Sequence, residues 1–84
     1  MRLKTPIDVN GEKVSEVTLT EPTFDDIAEI GVPADASSTQ EKLALMKKYI
    51  ARCSGLPEEV VGKIKASDAM KLLEKVTDFF TEQE

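Results

Sequence analysis

Hydrophobic and polar positions change rhythm twice along this chain. In residues 2–9, "RLKTPIDV", Leu3, Thr5, Ile7 and Val9 alternate with Arg2, Lys4, Pro6 and Asp8, the two-residue period of a strand. Asn10-Gly11 follows, a hairpin turn signal, and "EKVSEVTLT" adds Val17 and Leu19 to the apolar set. A two-residue turn at Asn10-Gly11 pairs odd positions with even ones. It then places Val17 and Leu19 opposite the Leu3 and Ile7 face. A three-residue loop over 9–11 pairs odd with odd and collects the apolar side chains on one face, with Gly11 in the left-handed position. The pattern therefore favours the three-residue loop, and Pro6 restricts its strand to a sheet edge.

From residue 23 the period lengthens to that of helices. Thr23 and Asp26 have capping-box spacing, and Phe24, Ile27 and Ile30 form the apolar side of a short helix. "GVPADAS", residues 31–37, reads as a loop. Residues 38–54 give the strongest helical pattern, with Ser38 and Glu41 at its start. Leu43, Met46, Ile50 and Cys53 form one stripe, and Leu45 and Tyr49 widen it on one flank. Gly55 sits where a helix ends in left-handed geometry, and Pro57 with Glu58 and Glu59 opens a further turn that Gly62 weakens. The last helix is capped at Ser67 or a neighbour and carries Ala69, Leu72, Leu73, Val76, Phe79 and Phe80. The closing "TEQE" is expected to fray, because acids at a helix C-terminus oppose the dipole.

These elements predict an α+β fold: an N-terminal two-stranded antiparallel hairpin over residues 2–20, then three to four helices over 23–80 with a loop at 31–37. With 84 residues, one domain spanning 1–84 is expected, burying roughly 60–65% of its unfolded surface. Such a small core invites help from a partner. Apolar surface around Leu45, Met46 and Tyr49 on the long helix, and at Phe79 and Phe80 on the last, is the expected partner-binding set. The hairpin edges are a second place where another chain can add.

Charge and chemistry narrow the function. Sixteen acids against eleven bases leave a net charge of −5, which disfavours nucleic acid and anionic membranes as partners. No apolar run approaches the roughly 20 residues of a spanning helix, and "MRLKTPIDV" lacks the apolar core of a signal peptide. Histidine is absent, removing the commonest general base and metal ligand together. Cys53, the single cysteine, lies on the apolar stripe in a last helical turn, with only Arg52 or Lys63 to favour a thiolate. It reads as a small buried hydrophobe rather than a nucleophile, and a single thiol suits a reducing cytoplasm. Asp25, Asp26, Glu21 and Glu29 lack an EF-hand spacing and read as helix-start acids rather than a metal site. Lys42, Lys47, Lys48 and Arg52 make the long helix locally basic, as a solvated face or a docking patch. No catalytic residue, metal site or cofactor is expected, so the chain does not read as an enzyme.

Taken in order, the segments resemble the tail assembly chaperones of contractile-tailed phages, the Mu-like and gpE-like family. The opening "TPIDVNGEKVSEVTLTEPTFDDI" carries a strand, a turn, a second strand and the family's L-x-E-P-T entry to the first helix, here Leu19, Glu21, Pro22 and Thr23. "SGLPEEVVGKIKASDAMKLLEKVTDFF" is similar to its Gly-Leu-Pro joint, acidic turn, Asp-containing cap and final amphipathic helix, through Gly55, Leu56, Pro57 and Asp68. The resemblance implies a non-enzymatic protein of the host cytoplasm that binds the tape measure protein and keeps it soluble during tail assembly. It also implies a possible longer frameshifted form of the chain as a second partner; a homo-oligomer stays open. The alternatives are a small structural subunit of a phage particle, or an adaptor or antitoxin-like protein-binding module.

Overall fold

A computed structural model of the protein describes residues 1–81. Two strands, β1 (Arg2–Val9) and β2 (Glu12–Glu16), pair antiparallel and are followed by four helices: α1 (Phe24–Ile30), α2 (Thr39–Ser54), α3 (Glu58–Val61) and α4 (Ala66–Thr81). The architecture is the expected α+β hairpin with helices. The fraying expected of "TEQE" concerns residues of which all but Thr81 lie outside the described ones.

The hairpin closes through a different turn from the one the pattern favours. Asn10 (φ 52°) and Gly11 (φ 87°) are both left-handed, and Val9 pairs directly with Glu12. This is the two-residue turn whose twist matches that of the strands. Parity is restored farther along. Ile7 pairs with Val14, but the next pair is Arg2 with Glu16, so residues 3–6 of β1 lie opposite Ser15 alone. An odd slip in a two-residue period moves side chains to the other face, and it brings Leu3 and Val17 onto the buried side with Ile7. Pro6, which has no N–H to give a ladder, sits inside the slip. The apolar face predicted from the pattern is correct, and a bulge rather than the turn produces it.

Helix starts and stops follow local chemistry. The Thr23 hydroxyl accepts from the Asp26 N–H and the Asp26 carboxylate accepts from the Thr23 N–H, completing the capping box of α1. Ser38 caps α2 by accepting from the Glu41 N–H, whereas the Glu41 carboxylate turns to Ser37. Gly55 ends α2 in left-handed geometry (φ 79°). Pro57 precedes α3, a single turn closed at Gly62. Two local expectations change. Residues 33–35 wind into a 3-10 turn with Pro33 buried rather than running as open loop. Ser67 lies within α4, whose Ala69 N–H already bonds the Lys65 carbonyl, so Ser67 is not its cap.

The core joins hairpin and helices. Leu3, Ile7 and Val17 meet Met46, Tyr49 and Ile50 of α2, Val61 and Ile64 around α3, and Leu72 and Val76 of α4. On α1 no residue is buried; Ile27 and Ile30 are half-buried and Phe24 is 82% exposed. The buried side of α1 is centred on Asp26, Ile27 and Ile30, and the 100° step per residue turns Phe24 away from it. Phe24 therefore does not join the apolar side that the spacing assigned to it.

Candidate functional site

The expected partner-binding residues divide between the interior and the surface. Met46 and Tyr49 point inward and are core residues, Tyr49 with no exposure at all. The Tyr49 hydroxyl donates to the Gly31 carbonyl, which ties the end of α1 to α2. Its ring meets Phe80 of α4 edge-on, with centroids 4.9 Å apart and planes at 71°. Phe80 is half-buried by that contact. Leu45 and Phe79 are also half-buried and keep part of their surface in solvent. Phe79 lines an open groove of about 400 Å³ between α4 and the segment leaving β2, with Met1, Val17 and Leu19 as apolar wall and Lys75 and Asp78 at the rim. The fold thus joins Tyr49 to Phe80 and leaves Leu45 and Phe79 as the members of the set with surface to offer.

Apolar surface also lies where the sequence pattern did not place it. Phe24, Met70 (61% exposed), Leu43 (49%) and Val32 are large apolar side chains open to solvent. Leu43 shares the helical spacing of Met46 and Ile50, but the buried arc of α2 is centred on Met46, Tyr49 and Cys53 and leaves it on the flank. Met70 lies outside the α4 stripe altogether and gave no periodic signal.

Around α1 the electrostatics are local and matched. Arg52 donates to Asp26 (2.6 Å) and to Glu29 (3.1 Å), so two of the acids weighed as metal ligands are guanidinium partners. The N–H of Thr23 and its hydroxyl, together with Arg52, hold the Asp26 carboxyl below its ordinary range. The two carboxylates raise Arg52 further. Lys48 and Arg52 border a second open cleft, of about 610 Å³, with Ile30, Ala51, Leu56 and Pro57 as its apolar lining. Lys48 and Arg52 face Glu29 and Glu58 there, so this part of the basic helix carries balanced charge.

Cys53 is buried, and burial first, then the Asp26 charge, pushes its thiol up, away from the thiolate a nucleophile needs. Its carbonyl accepts from both the N–H and the hydroxyl of Thr20 (3.1 and 3.2 Å), anchoring the segment that leads to α1. Among the described residues, no group of three or more His, Cys, Asp or Glu side chains is placed to hold a metal ion.

Asp68 is the polar residue that sequence reasoning undervalued. It is fully buried in the first turn of α4, and its two carboxylate oxygens accept from the N–H groups of Lys4 (3.0 Å) and Thr5 (3.1 Å). Those donors lie inside the hairpin slip, where β2 offers no partner, and a buried N–H needs one. The two N–H groups hold the Asp68 carboxyl below the usual carboxylate range despite burial. Asp68 is thus a clamp between hairpin and helix, not a helix cap.

With this geometry in place, comparison with known proteins decides the family. A family model described as phage tail assembly chaperone proteins, E, or 41 or 14, matches residues 1–81. The chain belongs to the phage tail assembly chaperones. No curated protein and no solved structure matches it. For a tail assembly chaperone the working surface is one that meets another protein, and the family points to a non-enzymatic role in the host cell. No helix among the described residues is long and apolar enough to cross a membrane.

Proposed function

We propose that this chaperone binds the tape measure protein of its phage and keeps it soluble in the host cytoplasm until the tail tube forms around it. The family match over residues 1–81 carries this reading. A long helical protein awaiting its tube exposes apolar stripes, and a small acidic module with apolar side chains at its surface suits covering them. The contact set is Leu45, Met46, Tyr49, Phe79 and Phe80. Leu45 and Phe79 keep surface to offer, Phe80 is half-buried against Tyr49, and Met46 and Tyr49 lie in the core. A longer frameshifted form of the chain, sharing this fold, and a second copy are further proposed partners.

Co-expression with the tape measure protein of the same genome, followed by pull-down and a solubility assay, tests the reading. A tape measure protein that is insoluble alone should co-purify. The pair Leu45→Asp and Phe79→Asp should weaken that association by about 2 kcal/mol or more, as for interface hot spots, with the circular dichroism unchanged. Lack of any association, with no gain in solubility, would instead favour a particle subunit or an adaptor.

A further inference from the structure

The attachment of α1 is unlike that of the other elements. It buries no residue fully, and its apolar contribution is the half-buried pair Ile27 and Ile30. Its remaining ties lie at the surface or at its ends. Arg52, with 43% of its side chain exposed, bridges to Asp26 and Glu29. Thr20 is held on the Cys53 carbonyl before the helix, and Gly31 is held by the Tyr49 hydroxyl after it. Gly31 has φ 106°, a backbone state open mainly to glycine, so the chain turns sharply where α1 ends. On α2 these ties are made by the buried Tyr49 and Cys53, whose hydroxyl and carbonyl hold the two flanks of α1.

Segments with few buried apolar contacts open at lower free energy than the core that carries them. The place α1 occupies has the makings of a helix receptor: an apolar floor on α2 and a guanidinium at its edge that takes two carboxylates one turn apart. Its present occupant is a two-turn helix with an Ile27/Ile30 pair beside an Asp26/Glu29 pair. We infer that α1 is a displaceable internal ligand, which swings away about Thr20 and Gly31 and yields its seat on α2 to a partner's amphipathic helix that presents a similar apolar pair beside carboxylates. The seat deepens the proposed function by naming a mode of engagement, and rests on that reading only for the partner. The opening of α1 belongs to this chain alone.

Cys53 makes the opening measurable. It is the single thiol, it is 5% exposed, and it adjoins two ties of α1: its own carbonyl holds Thr20, and Arg52 beside it holds Asp26 and Glu29. The experiment is the rate at which a thiol reagent labels the full chain at increasing denaturant. Local opening gives a rate that is flat at low denaturant, whereas labelling through global unfolding rises steeply from the start. The expected result is a flat regime that Arg52→Ala accelerates by roughly 2- to 10-fold, the scale of two exposed ion pairs. Ile27→Asp with Ile30→Asp should accelerate it further, with α2 and α4 helicity retained. A synthetic peptide of residues 20–31, added in large excess to that double variant, should restore protection, and the same peptide carrying both Asp substitutions should not. Labelling that shows only the steep regime, in wild type and Arg52→Ala alike, overturns the inference. So does a peptide that gives no protection. Neither outcome depends on the tape measure protein, so failure here and failure of co-purification are distinguishable.

Discussion

Asp68 and Tyr49 are buried polar side chains that hold neighbouring segments by their backbones, and each makes a different prediction. Asp68 gives two N–H groups of β1 the partner that β2 does not supply. Replacing it with asparagine leaves one acceptor oxygen for one backbone N–H and sets the new NH2 group against the other, so Asp68→Asn should lower the melting temperature markedly and Asp68→Ala more so. The sign of its pH dependence is fixed. The folded state keeps the carboxylate charged to lower pH than the unfolded chain does, so this stabilisation is complete above the ordinary carboxylate range and is lost as pH falls below it. Acid titration of stability should show a loss in that range that is reduced in Asp68→Asn. At the other end of the scale Cys53, raised by burial, favours the folded state until pH climbs past the ordinary thiol range. For Tyr49, truncation to phenylalanine removes only the bond to the Gly31 carbonyl and should cost about 1 kcal/mol in urea unfolding. Tyr49→Ala should cost about 3–5 kcal/mol, because the ring also fills the space against Phe80. An alanine at Tyr49 therefore measures stability before it measures partner binding.

Among the elements, α1 and the hairpin depend most on local chemistry. Thr23→Ala removes one half of the capping box and should weaken α1 by about 1 kcal/mol. Because α1 buries no residue, the loss should appear as faster amide exchange in residues 24–30 and not in α2 or α4. In the hairpin both turn residues are left-handed, which costs an L-residue other than Asn or Asp roughly 1–2 kcal/mol. Gly11→Ala should destabilise the chain by about that amount, although a Cβ there meets no atom within 4 Å. Pro6 lies at the slip rather than in the ladder, so Pro6→Val is predicted to be tolerated at the backbone level. The added N–H, however, meets no partner in β2, and no gain in stability is expected.

At the scale of the whole molecule, one core takes side chains from both strands' segments and from α2, α3 and α4. Hairpin and helices should consequently lose structure together, with far-UV and near-UV signals tracing the same urea transition for all but α1. A first transition assigned to the hairpin alone would contradict this. Leu72 and Val76, which have no exposure, are the core positions of α4, and Leu72→Ala should cost about 2–5 kcal/mol in the common transition.

The sequence by itself determined the elements, their order and most of their ends, because caps, turns and periodicity are local: Thr23 with Asp26, Ser38, Gly55 and Asn10-Gly11 act on residues within a few positions of themselves. The order of these turns and caps also carried the resemblance to the family whose model matches residues 1–81. Tertiary structure decided what depends on contact between distant residues. The hairpin turn follows Asn10-Gly11 chemistry, and the parity conflict this creates is resolved by a slip that is tolerable because Asp68, more than sixty positions away, satisfies Lys4 and Thr5. Periodicity marked the wide apolar arc of α2 without saying which part is covered. Tyr49 and Met46 turned inward because α1, α4 and the hairpin close over them, while Leu45 and Phe79 kept surface. Burial is a property of the assembled chain, and a one-dimensional pattern records only which side chains are able to be buried.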